Sequence, residues 1–509
     1  MPGPSTARRV RSGERSERDP KRKEQPSTDE GPGLARPRLA RRVRSGERSE
    51  RDQERRRTKH ALGTLARPVL RTERGKVVEA FFRRPARVAI GCGLALVAAM
   101  LPATTAGSAP NAPAQEADEV QPCGPGDASG ATDIGVTDTS ITVASIQDVG
   151  GDVRPGIRKD NQDAIKAFVR YCNKQGGING RELELNTYDS KLLEAFDAYE
   201  EACDGDNFAI VAEAVIFDDA GLEPITGCGI PTVPAFSTSP VRQESDLTYP
   251  PSPNPPARIA TGRYEWLQNE FDGVGERAAL LCADTTTTQY SCARAKFAAE
   301  EAGFEFVYEG KTEITVTNWG PFVDQLRQND VSYVTMVADE VNWAGLQREI
   351  LAQGLDIQVQ DSGAGIYSQE YLEQAGPAAE DTLISLGVTP LEEANNVPEL
   401  KRYSKWVKKV GGEPTALGIS GWSAGLLFAT AVQSLGSDVT REGLVTALQG
   451  IHEWDGNGLQ ALADPGGKQP SGCFVQLQVK DGEFERIFPK QGFECRPEDI
   501  ADVPEDLQS

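Results

Sequence analysis

The five residues GWSAG at 421–425 form the pattern with the most direct chemical potential in this chain. They match G-x-S-x-G, the turn on which many serine hydrolases present their nucleophile, and Asp438 and His452 follow in the order of a Ser-Asp-His triad. That turn requires a strand directly before it, whereas the preceding segment EPTALGIS is short and weakly apolar. Small and apolar residues continue beyond Ser423 at helical spacing. The pattern therefore predicts a helix, and hydrolysis is the disfavoured alternative.

Other residue types that support catalysis or cofactor binding are sparse. His452 is the only histidine that follows the N-terminal region, which leaves few acid–base or metal mechanisms. The sequence contains no CxxC spacing for zinc, no P-loop and no G-x-G-x-x-G after a strand. We therefore expect no catalytic residue, no metal and no cofactor.

The formal charge of −22 conceals two segments of opposite sign. Residues 1–106 hold 26 Lys and Arg against 12 Asp and Glu, whereas the remainder holds 28 basic and 64 acidic residues. Nucleic acid requires clustered cations, so the acidic body is not expected to bind it. The simplest interpretation is an acidic, soluble surface, and calcium binding by that surface is the alternative.

Residues 1–82 are rich in Arg, Ser, Glu and Pro, and the sequence ARRVRSGERSERD occurs twice, at Ala7–Asp19 and at Ala40–Asp52. Such a segment cannot bury a core, so we predict that it is disordered. Two alternatives stay open. The segment could be a basic tail that contacts nucleic acid or anionic lipid. Alternatively, it is included in the sequence only because the start site was placed too far upstream.

Residues 83–106 have the pattern of an export signal. Three arginines precede the apolar run Val88–Leu101, which is short for a membrane span and is followed by small residues. Cleavage is expected after Ala106, Ala109 or Ala114. Lipid attachment at Cys92 and an uncleaved membrane anchor are the alternatives. A Pro- and Ala-rich linker is predicted over 107–130, and the body is expected to be exported, periplasmic or at the cell surface.

Eight cysteines follow Cys92, and an even count in an exported chain implies disulfides. Eight cysteines allow about 105 connectivities. Three preferred pairs each close a short segment within one predicted supersecondary unit: Cys203 with Cys228, Cys282 with Cys292, and Cys473 with Cys495. The remaining two cysteines then form the fourth pair, Cys123 with Cys172.

Strand patterns alternate with helix patterns from residue 131 onward, as in βαβ units around a parallel sheet. The first set has strands at 140–146, 182–188, 208–216 and 230–236, with helices at 157–174, 192–203 and 218–226. A proline-rich break spans 249–258. The second set has strands at 277–283, 304–310, 331–338, 357–362 and 381–388, with helices at 291–302, 319–328, 342–353 and 368–374. Helices at 398–410, 415–435 and 440–449 and a hairpin around Asp481-Gly482 complete the chain.

The segment NKQGGINGRELELNTYDS, Asn173 to Ser190, joins a helix end, a Gly-rich turn and an alternating strand. It resembles the "GGI-x-G, then strand, then Asp" stretch of the periplasmic solute-binding proteins for branched-chain amino acids. Further similar stretches follow in the family's order: SITVASIQDVGG near the start, CGIPTVPAFSTSP, the helix ALGISGWSAGLLFATAVQSLG and the closing QLQVKDGEFERI.

This resemblance implies the type I binding-protein fold, an α/β architecture of two doubly wound parallel-sheet lobes joined by three crossovers. Lobe 1 would comprise 131–258 and 390–465, and lobe 2 would comprise 270–388 and 466–495. The family's function implies capture of a small polar ligand, an amino acid or amide, and its delivery to an ABC permease. A membrane-tethered ligand-sensing ectodomain on the same fold is the alternative.

The resemblance also implies where the ligand is held. The loop after the fourth strand falls on Phe236, Ser237 and Thr238, whose N–H groups and hydroxyls would bind a ligand carboxylate. The loop after the third strand falls near Phe217, where many relatives have a serine that this chain lacks, so an aromatic wall is expected there. Further ligand contacts are expected at four positions: Asp148, Tyr290, Asp339 and Tyr367.

Overall fold

The structure is a computed structural model that describes residues 119–152, 155–337 and 339–508. The predictions for the Arg-rich segment, the export signal and most of the linker lie outside the described residues.

The first α/β set begins with a long strand and a long helix. Its strands are β1 (Ser140–Gln147), β2 (Glu182–Asp189), β3 (Ala209–Val211) and β4 (Thr232–Val233). Its helices are α1 (Lys159–Gln175), α2 (Ala195–Asp204), α3 (Leu222–Cys228) and α4 (Pro240–Glu244). The strands form one parallel sheet in the order β2-β1-β3-β4. This is the sheet of lobe 1.

The second set follows a short strand, β5 (Arg258–Ala260). Its strands are β6 (Ala278–Ala283), β7 (Phe306–Thr312), β8 (Tyr333–Val337), β9 (Val359–Gly363) and β10 (Leu383–Leu386). Its helices are α5 (Gly262–Glu270), α6 (Thr286–Glu301), α7 (Gly320–Gln328), α8 (Glu340–Ala352) and α9 (Gln369–Ala375).

The C-terminal part returns to lobe 1 and then to lobe 2. Three helices come first: α10 (Pro398–Lys409), α11 (Ala416–Ser434) and α12 (Arg441–Gln449). Four strands follow: β11 (Cys473–Lys480), β12 (Glu483–Phe488), β13 (Glu494–Cys495) and β14 (Ile500–Asp502). The lobe 2 sheet has the order β12-β11-β10-β9-β8-β6-β7, in which β11 runs antiparallel to both of its neighbours, β10 and β12. The predicted hairpin is confirmed.

Alternation along β1 divides the lobe 1 core between two faces of its sheet. Ile141 and Val143 face the core that contains α1 and α11, whereas Ala144 and Ile146 face the core that contains α2 and α3. Because successive strand residues point to opposite faces, one strand supports helices on both sides. Lobe 1 is therefore doubly wound, as the family resemblance predicts.

The turn after α1 has the predicted helix-stop geometry. Gly176 adopts φ 114°, which a side chain would oppose, and its N–H binds the carbonyl of Asn173 while that of Gly177 binds Cys172. The third strand is shorter than predicted, because Ala212 has φ 54° and regular pairing ends there.

Three crossovers join the lobes and are hydrogen-bonded to one another. Thr389 N–H donates to Leu459 O at 2.8 Å, and Ala461 N–H donates to Gly387 O at 2.9 Å. The buried side chain of Gln460 donates to Pro251 O at 2.9 Å. Segments from the first, second and third crossovers thus meet in one hinge.

All four predicted disulfides are present: Cys123–Cys172, Cys203–Cys228, Cys282–Cys292 and Cys473–Cys495. The first of them attaches residues 119–130, predicted as linker, to lobe 1, where Gly124 N–H also donates to Gly177 O. Helix α5, left out of the predicted lobe 2, packs in that lobe's core. The lobe boundaries therefore differ from the predicted ones at these segments.

Candidate functional site

A cleft lies between the lobes at the carboxyl ends of both sets of parallel strands. It encloses about 1020 Å³ of empty space, part of it open to solvent. Loops after β1 to β4 form one wall, and the segments after β6, β7 and β8 form the other. Ligands of open α/β sheets bind in this position, because the loops there converge from several strands.

Asp148 supports the lobe 1 wall from below. It is fully buried, and its carboxylate accepts hydrogen bonds from Ser190 Oγ, from Leu192 N–H at 3.1 Å and from Ile216 N–H at 2.8 Å. Burial raises the pKa of Asp148 above its ordinary value. Both oxygens are therefore used in joining three strand-end loops, and Asp148 does not reach the cleft surface.

The loop after β4 surrounds a carboxylate that belongs to the chain itself. Asp218, 1% exposed, accepts hydrogen bonds from Ser237 Oγ at 2.8 Å and Thr238 N–H at 2.9 Å. Its other oxygen accepts from Ser239 N–H at 2.9 Å and lies 2.8 Å from Thr238 Oγ1, whose single proton also has the carbonyl of Ile216 as an acceptor at 2.9 Å. The Ser237 hydroxyl and the Thr238 N–H, which the sequence predicts as donors to a ligand carboxylate, thus bind Asp218 of the same chain.

Arg158 brings a positive charge to the cleft immediately before α1. Its guanidinium lies over the ring of Phe236, 5.2 Å from the ring centre. Its Nε is buried without a hydrogen-bond partner, and its Nη1 reaches only the carbonyl of Ile157, at 3.4 Å. Phe236 therefore positions this arginine, while Phe217 forms part of the wall itself.

A buried ion pair anchors the strand-end loops of lobe 1. Glu213 accepts from Arg242 Nη2 at 2.7 Å and from Tyr199 Oη at 2.8 Å, and all three side chains are buried. Burial raises the pKa of Glu213 above its ordinary value. Because Glu213 lies between β3 and Phe217, the pair fixes the loop that carries the aromatic wall.

Hydroxyl groups dominate the first part of the lobe 2 wall. Thr285, Thr287, Thr288 and Ser291 line the cleft from the start of α6. Thr285 caps this helix by accepting from Thr288 N–H at 3.3 Å. The disulfide between β6 and Cys292 closes this segment, so its hydroxyls are held at a covalently fixed turn.

The predicted acidic residue of lobe 2 also lines the cleft. Asp339 caps α8, because its Oδ1 accepts the N–H groups of Val341 and Asn342, each at 3.0 Å. Within the described residues, no cluster of three or more His, Cys, Asp or Glu side chains is arranged to hold a metal ion.

Two predicted ligand contacts lie in neighbouring cavities rather than in this one. Tyr290 lines a cavity beside the first crossover, and burial raises the pKa of its hydroxyl. Tyr367 lines the adjoining space towards lobe 1, where its hydroxyl donates to Glu392 and accepts from Leu391 N–H. Burial raises the pKa of Tyr367 well above its ordinary value.

The GWSAG motif is helical, as predicted, and its residues do not converge into a triad. Ser423 is fully buried inside α11, where it donates to Gln460 at 2.7 Å and accepts from Trp454 Nε1 at 3.0 Å. His452 is 61% exposed and contacts Asp464, while Asp438 lies on the surface. By length and composition α11 could span a membrane, but 78% of its apolar window is buried, and it is the central helix of the lobe 1 core.

Arg158, Asp218 and the threonines of α6 are the site residues that the sequence interpretation missed. Arg158 was assigned to a predicted helix, although its place directly after a strand-end loop is a usable signal. Asp218 directly follows Phe217 in the loop after the third strand, and its place there is visible in the sequence. Its bonding partners are not visible, because they come from a loop 19 to 21 positions away.

Two doubly wound lobes, a shared hinge and an intervening cleft define a two-lobed binding protein. A family profile described as periplasmic binding protein matches residues 140–483. The chain belongs to this family, whose members are extracytoplasmic solute-binding proteins rather than enzymes.

A curated relative and two solved structures extend this comparison. The chain is 30% identical over 145 residues to Leu/Ile/Val-binding protein homolog 1 of Brucella suis, covering 27% of this chain and 36% of that protein. A branched-chain amino acid ABC transporter protein of Thermus thermophilus with bound valine has a TM-score of 0.60 at 16% identity, covering 70% of this chain and 98% of that one. A fatty acid ABC transporter substrate-binding protein of Thermomonospora curvata has a TM-score of 0.60 at 19% identity, covering 74% and 95%. At these identities the solved structures establish the fold alone.

Proposed function

We propose that this protein is the solute-binding subunit of an ABC importer, which captures a small organic ligand in the interlobe cleft and delivers it to a membrane permease. The observation that carries the proposal is the cleft itself, whose two walls belong to different lobes above a three-crossover hinge. A ligand that contacts both walls favours the closed arrangement, because it gains contacts there that the open one lacks.

Phe217, Thr238 and Asp339 line the cleft, which supports the prediction that these three residues contact the ligand. Asp148 and Phe236 lie behind the wall, where Asp148 accepts from Ile216 N–H and Phe236 packs against Arg158. Ser237 donates its hydrogen bond to Asp218. Tyr290 and Tyr367 would reach a ligand only if it extended into the adjoining cavities. The abundance of apolar side chains in the wall favours, among the small polar ligands that the sequence predicts, those with an apolar body.

Ligand-induced stabilisation and closure test the proposal. The exported protein should be screened by thermal unfolding against amino acids, amides, carboxylates and sugars, because a ligand at 100 times its Kd adds about 2.7 kcal/mol to the free energy of unfolding. The same ligand should reduce the radius of gyration measured by small-angle X-ray scattering. Cells that lack the protein should take up that ligand more slowly.

A cleft-filling variant provides the matched comparison. Thr287→Trp places a large ring in the cleft and should abolish the thermal shift, whereas Glu300→Trp adds the same ring on the exposed part of α6 and should preserve it. A library that produces neither a thermal shift nor compaction would refute the proposal, as would unchanged binding by Thr287→Trp.

A further inference from the structure

Two packed helices of lobe 1, α1 and α10, carry a group of cations on their outer faces. On each helix the cations recur at a spacing of three or four residues, so they share one helix face. We call these seven residues the α1–α10 basic patch: Lys166, Arg170, Lys174, Lys401, Lys405, Lys408 and Lys409. Lys166 is half-buried and the other six are exposed. Arg170 Nη1 donates to Lys409 O at 3.3 Å, so the two faces form one continuous surface.

The patch contrasts with the acidic body that carries it. The residues after 106 include 28 basic side chains against 64 acidic ones, and the patch holds a quarter of the basic ones. Within the described part of the chain none of the seven forms an ion pair, whereas Lys296 pairs with Glu309 and Lys311 with Asp284. The one acidic residue of α10, Glu399, is buried and accepts from Trp422 Nε1. The charge of the patch is therefore uncompensated.

Helix stability does not account for this arrangement. Like charges four residues apart destabilise a helix, and both helices contain such pairs. The helix dipole favours the cations of the last turns, Lys174, Lys408 and Lys409. It gives no such benefit to Arg170 in the middle of α1, and it opposes Lys401 near the start of α10. A surface that lowers helix stability in this way indicates a partner of opposite charge.

An aromatic ring lies within the patch. Trp406 is half-buried, whereas the other five tryptophans of the chain are buried. Its ring packs against that of Tyr171, with centres 5.8 Å apart, and Lys409 Nζ lies 3.7 Å from its centre. Tryptophan is enriched where proteins meet lipid headgroups, and clustered lysines bind anionic headgroups. The composition of the patch therefore fits a membrane surface.

The chain enters lobe 1 beside the same patch. Glu119, the first described residue, binds Arg402 at 2.8 Å, and this guanidinium lies 5.5 Å from the ring centre of Tyr171. The predicted export signal precedes Glu119 in the sequence, and its apolar run is the segment with affinity for a membrane. The entry point of the chain is thus on the face that carries the cations.

We propose that the α1–α10 basic patch binds the surface of an anionic lipid bilayer and holds lobe 1 against the membrane. The acidic remainder of the body does not prevent this, because at physiological salt charges more than about 8 Å apart are largely screened. None of the seven cations lines the cleft, so bilayer binding leaves the cleft accessible and goes beyond the proposed function.

Vesicle binding tests the lipid requirement. The exported protein should bind phosphatidylcholine vesicles that contain about one third phosphatidylglycerol about tenfold more strongly than pure phosphatidylcholine vesicles, because only the former have a negative surface potential. Co-flotation in a density gradient measures the bound fraction. Raising the salt from about 0.05 M to about 0.5 M should weaken binding about tenfold, because the Debye length shortens.

A triple variant removes part of the patch. Lys401→Gln/Lys405→Gln/Lys408→Gln deletes three exposed cations and should weaken binding to the anionic vesicles by about tenfold or more, because each cation near the bilayer contributes separately. The exposed positions should tolerate glutamine, and unliganded melting temperatures verify that the variant is folded.

A second triple variant provides the matched control. Lys311→Gln/Lys480→Gln/Lys490→Gln changes the net charge by the same amount on lobe 2. It should bind the anionic vesicles within about twofold of the wild type, because charges far from the bilayer are screened. Equal losses in the two triple variants would mean that net charge alone controls binding and would overturn the inference.

Trp406 reports whether the patch itself meets the lipid. Its emission should shift to shorter wavelength when the anionic vesicles bind, because the exposed part of the ring leaves water, while the five buried tryptophans change little. Trp406→Phe should keep most of the binding and lose the shift. Bound protein with an unchanged emission spectrum would contradict the assignment of the surface.

The remaining outcomes distinguish the membrane from other anionic partners. No vesicle binding at low salt, or equal binding to both kinds of vesicle, would overturn the inference. Tighter binding to a short DNA duplex than to the anionic vesicles would indicate nucleic acid instead. Displacement of the vesicles by millimolar glycerol 3-phosphate would indicate a pocket for a single phosphate. These measurements do not involve the cleft, so the proposed function is tested separately.

Discussion

A single acidic side chain changes how the candidate ligand site must be interpreted. Ser237 and Thr238 have the residue types and position that the family resemblance assigns to ligand binding, yet the Ser237 hydroxyl and the Thr238 N–H donate to Asp218. A hydroxyl near a cleft identifies a donor but not its acceptor. Arg158, which the resemblance does not indicate, is a cation among the described residues that line the cleft. The ligand class therefore depends on which side chains are already paired.

Ser423 shows the same dependence on pairing. Its hydroxyl connects Trp454 to Gln460, which in turn binds the first crossover at Pro251. A serine with the local sequence of a nucleophile thus acts as a buried bridge between the core helix of lobe 1 and the hinge.

We expect Ser423→Ala to lower the free energy of unfolding by about 1–3 kcal/mol, because it leaves two buried polar groups without their partner. Chemical denaturation measures this loss. Ser420→Ala, a half-buried serine in the same helix, is the control and should change stability by about 0.5 kcal/mol or less. Esterase activity in the wild type that disappears in Ser423→Ala would contradict the structural role.

At the scale of elements, the cleft is built from strand-end loops that the rest of each lobe holds in place. On the lobe 1 side the supports are noncovalent, through Asp148 and the Glu213–Arg242 pair. On the lobe 2 side, the hydroxyl-rich turn between β6 and α6 is closed by the Cys282–Cys292 disulfide. This disulfide is the covalent link nearest to the cleft wall among the four found in the described residues.

We expect the double variant Cys282→Ser/Cys292→Ser to bind the ligand several-fold more weakly, because the hydroxyl-bearing turn must then be ordered on binding. Its free energy of unfolding should also fall, by about 2–4 kcal/mol. Calorimetry and denaturation measure the two effects.

The matched control is Cys203→Ser/Cys228→Ser, at the ends of α2 and α3 that point away from the cleft. It should lose comparable stability and keep the wild-type Kd. An equal loss of affinity in both double variants would mean that the cleft disulfide acts only through global stability.

At the scale of the whole molecule, the chain crosses between the lobes three times. Backbone hydrogen bonds join the second crossover to the third, and the side chain of Gln460 joins the third to the first. Crossovers that meet at one place let two lobes rotate about a common hinge. The strands β5 and β14 pair antiparallel beside the first crossover, so residues beyond the predicted end of lobe 2 also belong to this region.

The export of this molecule yields a separate prediction from sequence. We expect the mature protein to begin after Ala106, Ala109 or Ala114, because the apolar run at 88–101 is followed by small residues typical of signal cleavage. Intact-mass measurement and N-terminal sequencing of the secreted protein test this. A protein that retains residues 1–82, or a lipid attached to Cys92, would contradict it.

The sequence by itself determined the scaffold. The helix before Gly176, the alternating strand after it and the turn at Asp481-Gly482 follow from contacts only a few positions apart, so periodicity and glycine placement suffice to predict them. The disulfide pairs were also predictable, because three of them close short segments within one supersecondary unit.

Only the tertiary structure decided what the cleft presents to a ligand. Phe217 and Met336 line the same cavity although 119 positions separate them, and Asp218 reaches donors on a different loop. Hydrogen bonding is saturable, so a donor engaged inside the protein is unavailable to a ligand, and no local pattern records that engagement. Sequence periodicity predicts which loops meet, and side-chain pairing across those loops decides which polar groups the cleft presents.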